Sequence, residues 1–125
     1  MKVVKLAWVG TRTQRAGETA DFFQHVMGLD LMIESDDFYV LRLPDGSKVE
    51  VFGPSISDKA HFTTGPVVGF LVDDFDQAVS ELRARNVEIV FGPQSSPDGN
   101  QWVHFRGPDG NLYELTADPG VNRPS

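Results

Sequence analysis

The stretches Asp45-Gly-Ser-Lys-Val-Glu-Val-Phe52 and Asp109-Gly-Asn-Leu-Tyr-Glu-Leu-Thr116 decide the reading of this chain, because the second repeats the first. Each follows a proline, Pro44 or Pro108, so each opens as a Pro-Asp-Gly turn and runs on into a strand-like segment. Each strand carries a single carboxylate, Glu50 or Glu114, among apolar neighbours. A carboxylate withdrawn from water is costly unless it finds a partner. Two of them at matching places in two halves of one chain predict a shared pocket on a pseudo-twofold axis.

The flanking sequence repeats as well. Residues 3–13 are β-rich and lack helical periodicity. In residues 17–28, Ala20, Phe23 and Met27 fall at i, i+3 and i+7, with Phe22 and Val26 widening the stripe, which predicts an amphipathic helix stopped by Gly28. Residues 29–34 and 38–43 read as strands joined by the turn Ser35-Asp-Asp37, and 48–52 as a fourth. The second half offers a strand at 67–72 and a helix capped by Asp74 or Asp76, with Ala78, Val79, Leu82 and Asn86 inward. Strands at 87–91, 101–106 and 112–116 complete it. Val9-Gly10 aligns on Val68-Gly69 at an offset of 59 residues, whereas the turn motifs are offset by 64. The difference is an expansion around 94–100, read as a pocket rim, a dimer contact or a longer hairpin.

The predicted fold is α+β, a single domain over 1–125 built of two tandem βαβββ modules. Module one is 1–53, a Gly-, Pro- and Ser-rich linker is 54–66, module two is 67–118, and 119–125 is a tail expected to be poorly ordered. Four strands and one helix leave one sheet face open, so neither module closes a core alone. Paired curved mixed sheets around a shared cavity, with the helices outside, solve this.

Composition narrows the function. The chain has 125 residues, 40% hydrophobic and 23% charged, enough for one sizeable core. No run approaches the ~18 apolar residues of a membrane span, and Met1-Lys-Val-Val-Lys-Leu6 lacks a signal-peptide core. A cytoplasmic location without a membrane partner is expected. The absence of cysteine excludes disulfides, thiolate metal sites and a cysteine nucleophile. A net charge of −7 argues against a nucleic-acid partner. Acidity first of all serves solubility, and it permits attraction of cationic small molecules.

Strand alternation then selects the cavity side chains. With Val49, Val51, Tyr113 and Leu115 under the helices, Glu50, Phe52, Glu114 and Thr116 face the cavity. A hairpin about Asp109 sets His104 opposite Glu114 and Trp102 opposite Thr116, while Val40 falls opposite Glu50. Phe38 is the repeat counterpart of Trp102. Val9, Thr11, Val68 and Phe70 are expected toward the helices, which turns Trp8 and Val67 inward.

Together the tandem order, Trp8-Val-Gly-Thr11, Val26-Met-Gly-Leu-Asp-Leu31, Phe70-Leu-Val-Asp-Asp-Phe-Asp76 and Gly107-Pro-Asp-Gly-Asn-Leu-Tyr-Glu114 resemble the vicinal oxygen chelate superfamily. That group includes glyoxalase I, extradiol dioxygenases, fosfomycin-resistance enzymes and bleomycin-resistance binding proteins. The resemblance implies a homodimer. It also implies where a metal would sit in members that use one: on the first and last strands of each module, typically on His, Glu or Gln. Those four places are Trp8, Glu50, Val67 and Glu114 here. An indole nitrogen only donates and valine has no lone pair, so the usual site is half erased, and no metal or other cofactor is assigned.

Three readings follow. The first is a metal-free protein of the glyoxalase and bleomycin-resistance kind that binds a small organic molecule, cationic or aromatic. Trp8, Phe38, Phe52 and Trp102 would stack on it, Val67 would line the cleft, and Glu50 and Glu114 would offer charge-assisted hydrogen bonds. The second is a lyase- or isomerase-type enzyme in which His104 and Glu114 form an acid/base pair. The third is a rearranged divalent site of Glu50, His104 and Glu114. Against all three stands a structural role in which the same aromatics fill a core and Glu114 is merely satisfied by His104.

Overall fold

The two Pro-Asp-Gly turns close by the same bonds. Gly46 N–H donates to Leu43 O and Gly110 N–H to Gly107 O, each at 2.9 Å. The Asp45 and Asp109 carboxylates accept from the backbone N–H two residues on, at 2.9 and 3.0 Å. Gly46 and Gly110 take φ of 86° and 84°, a left-handed conformation that disfavours any residue with a Cβ. A third copy, Pro97-Asp98-Gly99, closes the expanded loop in the same way, with Gly99 N–H donating to Ser96 O at 2.9 Å.

A computed structural model of the chain describes residues 1–118; the tail at 119–125 lies outside the described residues. The order is β1 (Val3–Arg12), α1 (Ala16–Asp21), β2 (Asp30–Ser35), β3 (Phe38–Arg42), β4 (Lys48–Phe52), β5 (Val67–Val72), α2 (Phe75–Ala84), β6 (Ile89–Ser95), β7 (Gln101–Arg106) and β8 (Leu112–Ala117). The fold is α+β, with β-α-β-β-β occurring twice. The chain divides into two compact units, Trp8–Val67 and a second made of Met1–Ala7 with the chain from Val68 onward. The first contains strands in the order β2-β3-β4-β1, and the second β1-β5-β8-β7-β6, so β1 serves both. Within each unit one pairing is parallel, β1 with β4 or β5 with β8, and the hairpin strands are antiparallel.

Each unit buries its own helix. Phe75, Ala78, Val79 and Leu82 of α2 pack with Val72, Val103 and Leu115. Asp74, one of the two candidate caps, accepts from Gln77 N–H at 3.1 Å and starts that helix. Asn86 does not continue its inner face. It lies beyond the last turn, exposed, with φ of 58°. In the other unit Ala16 and Ala20 pack on Leu41 and Val51, flanked by Phe23, Tyr39 and Val49.

The first helix departs from its predicted stripe. After Asp21 the chain widens into a π-helical turn over Phe22–Val26. A π turn abandons the 3.6-residue period, and Phe22, Val26 and Met27 emerge 50%, 70% and 56% exposed. Val9, expected toward the helices, is likewise 39% exposed. In the second half β6 runs on to Ser95, and register shifts between Ile89 and Phe91 and between Phe91 and Gln94 absorb part of the expansion as bulges.

The β2–β3 turn is pinned to the chain beyond β4. Ser55 donates to the Asp37 carboxylate from its backbone N–H at 2.9 Å and from its hydroxyl at 2.7 Å. These bonds hold the Asp37 carboxyl below its ordinary value of 3.8. A carboxylate lowered on folding contributes stability that is present above its unfolded pKa and is lost as pH falls through the folded value. Asp37→Asn is therefore expected to melt below wild type at pH 7, with the gap narrowing as pH falls below 3.8. A gap that stays constant across that range in thermal melts would dismiss the pin.

Candidate functional site

Sequence alternation correctly sets the two carboxylate strands in register. In module one, Val40 and Gly10 flank Glu50, and Phe38 lies across from Phe52. Residues two apart on a strand share a face, so Glu50 and Phe52 project together. Trp8 joins them: its ring lies 6.1 Å from Phe52, edge to face at 79°. Phe38 stacks on Phe52 at 5.4 Å and 17°. Trp8 and Phe52 are buried, whereas Phe38 and Glu50 are half-buried. Gly10 makes the indole's position possible, because a Cβ there would lie 2.3 Å from Trp8 Cζ3. The outcome is an aromatic face with a carboxylate at its edge.

In module two, His104 lies opposite Glu114 and Trp102 opposite Thr116. The His104 Nε2 to Glu114 Oε1 distance is 2.9 Å, with the side chains 0% and 7% exposed. An ionised carboxylate only accepts, so Nε2 carries the proton in this bond. Phe91 stacks on the imidazole at 5.5 Å and 24°. This bond orients both groups, and burial keeps the imidazole out of water. Trp102 is half-buried, and Val67 is fully buried at the start of β5.

The residues present do not fit the metal that the superfamily resemblance implies. Two of the four places hold an indole and an isopropyl group, and a third, Glu114, is engaged by His104. Among the described residues no group of three or more His, Asp or Glu side chains that could hold a metal ion is found. The other histidines serve elsewhere: His25 approaches Asp21 at 3.3 Å, and the His61 ring meets Phe62 edge to face at 4.8 Å. The strand arginines are also committed. Arg12 donates to Pro54 O, and Arg106 to Glu88 and Gly110 O.

Two features escaped the sequence reading. The linker contributes Phe62, 3% exposed, whose ring contacts Trp8 at 6.3 Å and Phe52 at 5.8 Å. An aromatic in an otherwise polar Gly/Pro/Ser stretch was the available signal. A cleft of about 300 Å³ is lined by Asp73, Asp74, Phe75, Asp76, Gly99, Gln101 and Ala117. Its signal was the aspartate run before α2, and Gly99 belongs to the expanded loop.

These features define a small α+β protein of tandem modules with an aromatic and carboxylate face in one module and a buried His–Glu pair in the other. The profile of the Glyoxalase/Bleomycin resistance protein/Dioxygenase superfamily matches residues 5–115, and the chain belongs to that superfamily. Comparison with curated sequences gives no significant match. Among solved structures it is similar to a methylmalonyl-CoA epimerase in complex with methylmalonyl-CoA and ammonium, at 18% identity over 98% of this chain and 100% of that one, with a TM-score of 0.75. It is also similar to methylmalonyl-CoA epimerase from Mycobacterium tuberculosis, at 20% identity over 92% and 88%, TM-score 0.71. A hypothetical protein from Bacillus halodurans C-125 matches at 18% identity over 91% and 94%, TM-score 0.72. Likeness at this identity establishes the fold.

Proposed function

We propose that this protein binds a small organic molecule, cationic or aromatic, on the face formed by Trp8, Phe38, Glu50 and Phe52. The observation that carries this reading is the indole at the first-strand position: Trp8 packs edge-on against Phe52 at a place where the family resemblance implies a ligand atom in metal-using members. Aromatic faces attract flat and cationic groups, each contact contributing about 0.5–2 kcal/mol. A net charge of −7 and a carboxylate at the edge disfavour a polyphosphate ligand of the coenzyme A kind. Thermal melts with aromatic amines and, separately, with acyl-CoA esters test this. Binding to the native state raises the melting temperature, by about 2.7 kcal/mol of stabilisation at a hundredfold excess over Kd. Amines are expected to shift it and acyl-CoA esters to leave it unchanged; the reverse pattern would sink the reading.

A second reading has its own observation, the 2.9 Å His104–Glu114 bond. It makes the protein an isomerase-type enzyme in which the imidazole, oriented by Glu114, moves a proton next to a carbonyl. In that case replacing His104 removes turnover while ligand affinity remains.

A cytoplasmic homodimer belongs to the same proposal. Val3, Val4 and Leu6 of β1 are 48%, 47% and 55% exposed. Val4 and Leu6, two apart, share one face of β1, and an apolar pair exposed on a sheet face is suited to burial by a second copy of the chain. Sedimentation velocity is expected to give a dimer for the wild type and a monomer for Leu6→Lys. A monomeric wild type would refute the pairing.

A further inference from the structure

The linker behaves as more than a tether. Ser57–Lys59 forms a 3-10 turn, and Ile56 N–H to Gly53 O, Ala60 N–H to Ser57 O and Phe62 N–H to Lys59 O bonds of 3.2, 3.1 and 2.9 Å wind it into a local loop. Two side chains of that loop address one ring of module one. The Phe62 ring stands 5.8 Å from the Phe52 centroid, edge to face at 68°. The Lys59 ammonium stands 5.8 Å from the same centroid, its side chain 13% exposed. Phe62 also tilts against Trp8 at 34°. An arene and an ammonium carried by one segment thus meet the aromatic face from which Glu50 also projects.

Resting on the binding reading above, we propose that Lys59 and Phe62 are internal stand-ins for the ligand, and that the ligand class is an arylalkylammonium ion. The loop 57–62 is then a flap. In the closed state its own ring packs edge-on against Phe52 and tilted against Trp8, and its ammonium sits over Phe52 and beside Asp58 at 3.6 Å. A ligand with one ring and one ammonium replaces both contacts at once, since ring packing and cation–π attraction are indifferent to whose groups supply them. Glu50, two residues before Phe52 on the same face of β4, supplies a carboxylate to the incoming ammonium. Residues 63–66, all exposed, join the flap to β5. Because the flap competes with the ligand for one place, weakening its grip raises affinity.

The 125-residue chain with Trp102→Phe leaves Trp8 as its sole indole and hence the reporter. Phenethylammonium, ethylbenzene and butylammonium are titrated against its emission, with and without Phe62→Ala. Phe62→Leu serves as a second variant that keeps apolar volume if the alanine form folds poorly. Phenethylammonium is expected to bind at least about tenfold tighter than either fragment, and about three- to tenfold tighter to the Phe62 variants than to the parent. Hydrogen exchange of amides 57–62 is expected to quicken on binding as the flap lifts. Equal or weaker affinity in both Phe62 variants, or slower exchange in the flap, overturns the proposal. If phenethylammonium binds no form while another organic molecule shifts the melting temperature, this inference alone falls. If no compound of any class binds, the binding reading falls with it.

Discussion

Replacing His104 by alanine while Glu114 remains is expected to lower the unfolding free energy by about 3–5 kcal/mol. The pair is sealed, at 0% and 7% side-chain exposure. Losing His104 therefore takes a hydrogen bond from a carboxylate that is almost wholly out of water. The contrast is the Arg15–Glu18 pair, 76% and 69% exposed, whose loss should cost about 0–1 kcal/mol. Removing both buried partners together is a different experiment. His104→Leu with Glu114→Leu keeps apolar volume and leaves no orphan, so it should recover most of the loss. Urea unfolding of wild type, His104→Ala and the double leucine variant measures this, provided that m is unchanged. A single-site loss under about 1 kcal/mol would mean that water reaches Glu114 and that the pair is not a buried ion pair.

Phe52→Ala is the other large effect, also about 3–5 kcal/mol. Phe52 is 2% exposed and meets the rings of Trp8, Phe38 and Phe62, with Lys59 above it. Truncation forfeits the transfer energy of a benzyl group and leaves a void which three large rings cannot fill without leaving their rotamers. Phe22→Ala is the internal control. That ring is 50% exposed, so its loss should cost well under half as much. Comparable losses for the two in chemical denaturation would show that Phe52 is not the centre of the aromatic face.

The Pro-Asp-Gly turns were legible because their chemistry is local: a carboxylate two residues from an N–H and a glycine free to take positive φ. Once the turns were placed, period-two alternation set the registers, and His104 opposite Glu114 and Val40 opposite Glu50 followed. The failures are of another kind. Phe22, Val26 and Met27 spelled a helix stripe, but a π turn rotated them into the open. Phe62 lay in a segment whose composition read as a linker, yet it is 3% exposed against two rings of module one. The aspartates before α2 read as caps, and one of them is a cap, but with Gly99 and Gln101 they also line a cleft.

The sequence by itself determined the duplicated β-α-β-β-β order, the turn geometry and the cross-strand partners of both glutamates. Those depend on covalent spacing, backbone dihedrals and donor chemistry, which are properties of a few adjacent residues. Only the tertiary structure decided which apolar side chains are covered, that the His104–Glu114 pair is sealed under Phe91, and that Lys59 and Phe62 converge on Phe52. Burial is set by surfaces distant in the chain that meet after the local elements have formed, and no period or motif in the sequence records where they will meet.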